Sequence, residues 1–192
     1  FLTTTNVLSL FSEGVKPPPP PGAKIIYMDG AFDMFHCGHA QILKSAKERG
    51  DYLIVGIHGD EVVRHRRGPN LPLMSLQERV LGVLGCKYVD DVLINAPYVV
   101  NSDMIASLNI SEVVHGSRGD DIGQSRVSSE ERYRYPKAVG IFSIIPSPSD
   151  FNISSILERV QSNKETFAAK FKRKMKAETD YYNERYGRKQ SS

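Results

Sequence analysis

The chain reads Asp29-Gly-Ala-Phe-Asp-Met-Phe-His-Cys-Gly-His39 at the end of its first long apolar run. Residues 25–28 are β-prone and a helix-forming run follows residue 39, so we predict a strand, a tight loop and a helix N-terminus. Unpaired backbone N–H groups and the positive end of the helix dipole make such a terminus a seat for phosphate. His36 and His39 are spaced to reach the same anion, and Gly38 lets the backbone approach it closely. The stretch therefore predicts phosphate handling.

Two other interpretations of these histidines remain open. The only cysteines are Cys37 and Cys86, and no C-x-x-C or H-E-x-x-H pattern is present, which disfavours a structural zinc site. A single histidine is most often a hydrogen-bonded core residue, but two that flank a glycine at a strand-to-helix turn favour contact with phosphate. We therefore predict phosphate contact and no metal held by protein side chains.

The remaining apolar runs alternate between strand and helix patterns. Predicted strands cover residues 25–28, 52–57, 89–94, 113–115 and 140–145, and predicted helices cover residues 39–50, 77–85 and 102–108. Ser75 precedes the second of these helices as a plausible cap, with Glu78 three residues later. This alternation predicts an α/β fold, a Rossmann-like, doubly wound and mainly parallel sheet with helices on both faces. Ligands of such sheets bind outside the carboxyl ends of the strands.

The signature over residues 27–39 resembles that of the cytidylyltransferase family, part of the nucleotidylyltransferase superfamily that carries His-x-Gly-His. Further matches follow in order at residues 67–68, 74–79, 86–92 and 96–98, so the resemblance covers roughly residues 24–160. It implies a cytidylyltransferase domain over residues 23–160. It also implies direct nucleotidyl transfer from CTP, with Mg²⁺ bridging the phosphates.

The same resemblance implies a set of site residues. His36, His39 and Arg67 take catalytic positions, where they meet the charge that develops on the phosphates. Residues implied in nucleotide binding are Gly30, Ala31, Phe32, Asp33, Gly38, Ala40, Gln41, Ile42, His115, Gly116, Ser117, Arg118, Ser147, Pro148, Ser149, Asp150 and Phe151.

Two departures from the family pattern bear on catalysis. Arg67 stands where the family has a lysine, which keeps the charge but changes the geometry. Residues 147–155 replace a segment whose hydroxyls and arginine grip CTP; they include no arginine and carry Asp150, which would repel a triphosphate that it faced. A catalytically silent, nucleotide-binding or dimerising domain therefore stays open as an alternative. The basic cluster of residues 64–67 could also be a solvated surface loop.

Two further residues are candidates for binding the second substrate. By resemblance, Asp33 is as suited to contact the substrate as to play a structural role, and Tyr98 takes an aromatic position beside the substrate ammonium. Core packing remains a rival interpretation for Tyr98. Asp29 could hold a hydrated Mg²⁺ or the substrate ammonium group, but it precedes a glycine, and for it we favour a turn.

The pattern is most similar to the branch of the family that acts on phosphoethanolamine, and within it to the second of two repeats. The expected partners are therefore CTP, phosphoethanolamine and an N-terminal cytidylyltransferase domain of the same chain. The chain opens on Phe1 and carries a proline run over residues 17–21, so we interpret it as a piece of a longer polypeptide with a linker over residues 1–22.

Composition narrows the remaining function classes. The chain has 192 residues and a net charge of +3, which is too small for a broad nucleic-acid footprint, and no apolar run is long enough to span a bilayer. Two cysteines suit a reducing compartment, so we expect a cytoplasmic protein with at most peripheral contact with the endoplasmic reticulum. Residues 161–192 are predicted to form a basic helix and tail. Its short apolar stripe favours packing on a protein over binding to an anionic membrane.

Overall fold

The structure is a computed structural model that describes residues 1–9, 18–118, 129–151 and 153–187. These residues form five strands and nine helices. The strands are β1 (Ile25–Gly30), β2 (Tyr52–Ile57), β3 (Asp91–Ile94), β4 (Ile110–Gly116) and β5 (Phe142–Ile145). The helices are α1 (Thr4–Leu8), α2 (Cys37–Lys47), α3 (Asp60–Arg67), α4 (Leu76–Leu84), α5 (Ser102–Ser107), α6 (Ser129–Arg132), α7 (Arg134–Ala138), α8 (Ile153–Ser162) and α9 (Lys164–Tyr186).

The strands form one sheet in the order β3-β2-β1-β4-β5, and each neighbouring pair is parallel. The predicted α/β, Rossmann-like, doubly wound fold is confirmed. From β1 the chain adds β2 and β3 on one side of this strand, and it then crosses over to add β4 and β5 on the other side. The strand order therefore reverses between β1 and β4. A crevice opens at such a switch point, outside the carboxyl ends of the two strands.

Both faces of the sheet are covered, which explains the continuous apolar character of its central strands. Ile26 and Met28 of β1 pack in a cluster that includes Leu43 of α2. Tyr27 points to the opposite face, in a second cluster that includes Met104 of α5. Burial of each such side chain contributes roughly 1.5–3 kcal/mol. The core thereby fixes β1, and with it the loop that follows β1.

Most predicted elements agree with the structure. The strand predicted over residues 52–57 matches β2 to the residue. Helix α4 begins directly after the predicted Ser75 cap, and Glu78 accepts hydrogen bonds from the backbone N–H and the hydroxyl of Ser75. The loop interpretation of residues 64–67 is wrong, because these residues are the last turn of α3. Acidic residues in the first turn of α3 and basic ones in its last turn favour the helix through its dipole. The helix ends at Gly68, whose φ is +109°.

Residues 1–9, the start of the predicted linker, lie on the edge of the sheet. Thr3 forms an isolated antiparallel bridge with Leu93 of β3. The hydroxyl of Thr4 and the backbone N–H of Thr5 donate to Asp91 Oδ1 at 2.7 and 2.9 Å. This contact covers the exposed hydrogen-bonding edge of β3. Residues 10–17 of the predicted linker lie outside the described residues.

The chain divides into two compact units, one ending at Ile153 and the next beginning at Ser154. The second unit contains α9, which has 23 residues and buries none of them. Phe167, Phe171 and Met175 of the predicted apolar stripe are exposed on it. Of the helices that the structure describes, none combines the length and apolar character needed to cross a membrane. Residues 188–192 of the predicted tail lie outside the described part of the chain.

Candidate functional site

A cavity of about 440 Å³ lies at the switch point, between the carboxyl ends of β1 and β4 and the N-terminus of α2. Most of the predicted site residues meet there. Those that line it are Gly30, Ala31, Phe32, His36, Gly38, His39, Ile42, Arg67, His115, Gly116, Ser117, Arg118, Ser147, Ser149, Asp150 and Phe151.

The two histidines of the signature stack at the start of α2. Their ring centroids are 3.8 Å apart and the ring planes differ by 21°. Nδ1 of His39 accepts the backbone N–H of His36 at 3.4 Å, so a neutral His39 ring carries its proton on Nε2. The pair therefore brings an imidazole N–H donor to a helix N-terminus that already favours anions.

Gly38 is required by the close approach of a second loop. A Cβ at this position would lie 2.9 Å from the backbone oxygen of Phe151, closer than real Cβ contacts. The Phe151 ring also meets the His36 ring edge-on, with centroids 5.1 Å apart. The glycine thereby lets the segment after β5 close on the first turn of α2.

Asp33 shapes the signature loop from outside the cavity. It is 2% exposed, and its Oδ1 accepts the backbone N–H groups of Met34 and Met74, while its Oδ2 accepts that of Leu73. Phe32 and Met34 have positive φ values of 51° and 46°, which L-residues adopt at a cost. The carboxylate holds this loop against the segment that precedes α4.

Arg79 of α4 supports the same loop through hydrogen bonds from its guanidinium. Its guanidinium is fully buried and donates to the carbonyl oxygens of Ala31 and His58 at 2.6 and 2.8 Å. It also forms an ion pair with Asp60 at 2.6 Å. One side chain thus connects the loops that follow β1 and β2.

The loops after β4 and β5 are tied to each other by reciprocal hydrogen bonds. Ser147 Oγ accepts the backbone N–H of Arg118 at 3.1 Å, and Ser117 Oγ accepts that of Ser147 at 3.0 Å. Arg118 also forms an ion pair with Asp150. Both side chains are largely exposed, so the pair adds little stability, but it offsets the negative charge expected to repel a triphosphate.

Asp29 carries a buried charge at the floor of the cavity. It lies in β1, so the turn interpretation is wrong, and its side chain is fully buried. Oδ1 accepts a hydrogen bond from the Tyr133 hydroxyl at 2.6 Å and pairs with Arg132 Nη2 at 2.8 Å. Burial alone would raise the pKa of Asp29, but the charge of Arg132 and the Tyr133 hydrogen bond outweigh it and lower this pKa. The carboxylate is therefore ionised at neutral pH.

His58 lies beside this pair as a neutral ring. Burial lowers its pKa to about 4, and the charge of Arg132 adds to this effect against the opposing charge of Asp29. Nδ1 donates to the Ala96 carbonyl at 3.1 Å, which leaves Nε2 to accept from Arg132 Nη2 at 2.7 Å. The 3.7 Å approach of His58 Nε2 to Asp29 Oδ2 is therefore a contact between a lone pair and a carboxylate, and not a salt bridge.

Some predicted residues do not line the cavity, namely Asp33, Ala40, Gln41, Tyr98 and Pro148. The face of the Tyr98 ring lies 4.0 Å from the Arg66 guanidinium and 5.0 Å from that of Arg132. Sequence reasoning missed Met28, Asp29 and Arg132 as lining residues. The end of β1 could have indicated the first two. No local pattern marks Arg132, because its partner is more than a hundred positions away.

Arg67 ends α3 and reaches the cavity, whereas Arg64 and His65 of the same turn are exposed. Within the described ranges, no group of three or more His, Cys, Asp or Glu side chains is arranged to hold a metal ion. Arg67, Arg118 and the α2 N-terminus give this crevice the electrostatic character of an anion site.

Comparison with known proteins gives a consistent result. A family model described as cytidylyltransferase-like matches residues 27–160. Ethanolamine-phosphate cytidylyltransferase of Arabidopsis thaliana is 43% identical over 187 residues, which is 96% of this chain and 43% of the relative. The Dictyostelium discoideum protein of the same name is 43% identical over 181 residues, 94% of this chain and 49% of the relative. Choline-phosphate cytidylyltransferase A of Homo sapiens is 34% identical over 145 residues, 74% of this chain and 38% of the relative.

The chain therefore spans about half the length of the curated relatives it matches. Among solved structures, a lipopolysaccharide core biosynthesis protein from Thermoplasma volcanium aligns with a TM-score of 0.51 and 21% identity. The alignment covers 68% of this chain and all of that one. At this identity the match supports the fold alone.

Proposed function

This chain belongs to the cytidylyltransferase-like family, and on that premise we propose that it acts in the transfer of a cytidylyl group from CTP to phosphoethanolamine. The products are CDP-ethanolamine and pyrophosphate, in the synthesis of phosphatidylethanolamine. Relatives that carry the corresponding name match more than nine-tenths of the chain, which supports this substrate pair over other phosphorylated alcohols.

The observation that carries the proposal is the stacked His36–His39 pair at the N-terminus of α2, inside the cavity at the switch point. A phosphate oxygen of phosphoethanolamine attacks the α-phosphorus of CTP in line. The bond from the α-phosphorus to the bridging oxygen breaks, and pyrophosphate leaves with the electron pair. Charge that builds on these oxygens meets the imidazole donors, Arg67 and the α2 N–H groups, so positioning and electrostatics supply the catalysis.

We propose Mg²⁺ as a companion of the CTP triphosphate, held by its phosphate oxygens. Among the described residues, the carboxylates that line the cavity are Asp29 and Asp150, and both are already paired with arginines. Mg²⁺ commonly binds through substrate phosphates and water with few protein ligands, which fits this donor set. The chain itself contributes cations and N–H donors to the same phosphates.

A specific observation favours the alternative, a domain that binds CTP without turning it over. The segment 147–151 closes on α2 but contributes no arginine, and its Asp150 is offset by Arg118 from another loop. We propose accordingly that the chain is a C-terminal repeat that works beside an N-terminal cytidylyltransferase domain. Cytoplasmic placement, with at most peripheral contact with the endoplasmic reticulum, is part of the proposal. Free thiols at Cys37 and Cys86 support the reducing compartment.

Calorimetry of CTP with the purified chain tests the site. We expect His36→Ala to weaken CTP binding roughly ten- to a hundredfold, because it removes a donor to a charged phosphate. The matched control is His65→Ala, which removes an exposed imidazole from the last turn of α3 and should leave the affinity unchanged. Equal CTP affinity of His36→Ala and the wild-type chain would contradict the phosphate role of His36.

The same preparation separates turnover from binding alone. We expect CDP-ethanolamine to form when CTP, Mg²⁺ and phosphoethanolamine are mixed with the chain. CTP binding without any product would support the silent repeat instead. Absence of both CTP binding and product formation would refute both functions.

A further inference from the structure

At the rim of the cavity, an arginine of one loop is held by an acid of another. Arg118 follows β4 and Asp150 follows β5, both residues line the cavity, and their side chains form an ion pair. The Arg118 side chain is 61% exposed and that of Asp150 is 87% exposed, so water screens the pair and weakens it. The guanidinium is therefore available to any anion that binds it more strongly than Asp150 does.

The backbone that carries these two side chains is held in place without them. Ser147 Oγ accepts the backbone N–H of Arg118, and Ser117 Oγ accepts that of Ser147. Neither hydrogen bond involves the guanidinium or the carboxylate. A Cβ at Gly116 would lie 3.0 Å from Ser147 Oγ, so the two loops are also in close contact here. The ion pair can therefore open while the loops stay joined.

Asp150 lies where a phosphate group is expected to bind. It directly precedes Phe151, whose backbone oxygen lies against the first turn of α2 at Gly38. Asp150 is thereby held near the end of a helix that favours anions. Arginine binds carboxylate and phosphate by the same charge-assisted hydrogen bonds, and a phosphate group offers more charge and more acceptor oxygens. A polyphosphate can therefore replace Asp150 at Arg118.

We propose that Arg118 holds the polyphosphate end of the nucleotide, and that Asp150 is an internal anion that occupies Arg118 until the nucleotide displaces it. The inference rests on the proposed function, since it assigns a partner to the phosphates in the same cavity. It also locates the cation that residues 147–155 lack, because the arginine comes from the loop after β4 instead. Asp150 thereby lowers the affinity of the cavity for polyphosphates and leaves ligands without phosphate unaffected.

Two other roles of the pair predict different results. If the ion pair only joins the loops, loss of either side chain should loosen the cavity and weaken CTP binding. If Asp150 only repels phosphates while Arg118 shields its charge, loss of Arg118 should weaken binding most where Asp150 is present. Displacement predicts the reverse, because Arg118 is fully available to the phosphates only when Asp150 is absent.

Calorimetry of the full chain with CTP, inorganic tripolyphosphate and cytidine tests the role of Asp150. We expect Asp150→Asn to bind CTP and tripolyphosphate roughly threefold more tightly than the wild-type chain, the gain that an exposed ion pair allows, and to bind cytidine equally. The matched control is Asp180→Asn, which removes the same charge at an exposed position of α9 and should leave all three affinities unchanged. A gain in affinity cannot arise from misfolding. Unchanged CTP affinity in Asp150→Asn, or an equal gain for cytidine, would overturn the proposal.

The double variant tests the role of Arg118. Arg118→Ala should weaken CTP binding about threefold in the wild-type chain and roughly tenfold in the Asp150→Asn background, where the guanidinium binds phosphate without a competitor. An equal or smaller loss in that background would refute displacement.

Tripolyphosphate keeps the inference and the proposed function distinguishable. Tripolyphosphate binding that depends on both side chains, without CTP binding or product, would refute the function and leave the role of Arg118 standing. CTP binding that responds to neither substitution would refute this inference alone.

Discussion

Asp33 and Arg79 lie outside the cavity but fix the loop that carries its histidines. Asp33 receives three backbone N–H groups, and Arg79 donates to the Ala31 and His58 carbonyls. The family pattern suited Asp33 to substrate contact or to a structural role; its two oxygens accept backbone N–H groups of the loop, and Asp29 lines the cavity. A residue of the signature can therefore support the loop without lining the cavity.

Arg79→Lys tests this support. Lysine keeps the charge, but it cannot reproduce the forked contacts to two carbonyls and Asp60, so buried acceptors lose their donors. We expect the free energy of unfolding to fall by about 3 kcal/mol, measured by urea denaturation. The exposed Arg64→Lys in α3 is the control and should change it by less than about 0.5 kcal/mol. A loss at Arg79 as small as that control would contradict the supporting role.

At the scale of elements, the site depends on how closely α2 approaches the loop after β5. His36, extended at φ −137° and ψ 176°, is the N-cap of α2, and the Phe151 backbone lies against the first turn of this helix. The loops after β4 and β5 are joined by the Ser117–Ser147 hydrogen bond. The cavity walls are therefore three chain segments whose spacing is set by the close contact at Gly38 and by the hydrogen bond between the two serines.

Gly38→Ala probes that spacing. Alanine usually stabilises a helix relative to glycine, but here its Cβ would meet the Phe151 oxygen at 2.9 Å and push the loop away from α2. Ångström-scale misplacement costs on the order of 10²-fold in reaction rate at aligned sites. For the contacts to CTP we expect at least about tenfold weaker binding, with unchanged helix content by circular dichroism. Gly85→Ala is the matched control, since its nearest contact would be an ordinary 3.5 Å. A CTP affinity of Gly38→Ala equal to that of the wild-type chain would show that the loop after β5 can move away from α2 without weakening CTP binding.

At the scale of the whole molecule, the sequence predicts the features that depend on residues close together in the chain. The continuous apolar run 52–57 and the Ser75 cap are local signals, and both are confirmed in β2 and α4. The fold class follows because strand and helix periodicities alternate. Contacts between distant residues leave no such trace, so the pairing of Asp29 with Arg132 could not be predicted. The last turn of α3 was missed because its run of charged residues is typical of a surface loop, and the helix is too short for its apolar positions to show a clear period.

The buried network also makes the stability of the whole chain depend on pH. His58 has a folded pKa of about 4 against about 6.5 when unfolded, so between these values the unfolded state takes up a proton that the folded state refuses. The free energy of unfolding should therefore fall by roughly 3 kcal/mol as pH drops from 6.5 to 4. The lowered pKa of Asp29 confines its own contribution to more acidic conditions, below about 3.8. Urea denaturation at pH 7, 6, 5 and 4.5 measures this free energy. Its decline with falling pH should be shallower for His58→Gln than for the wild-type chain, whereas the exposed-site control His65→Gln should retain the wild-type slope. Parallel declines for His58→Gln and the wild-type chain would mean that His58 is protonated in the folded state.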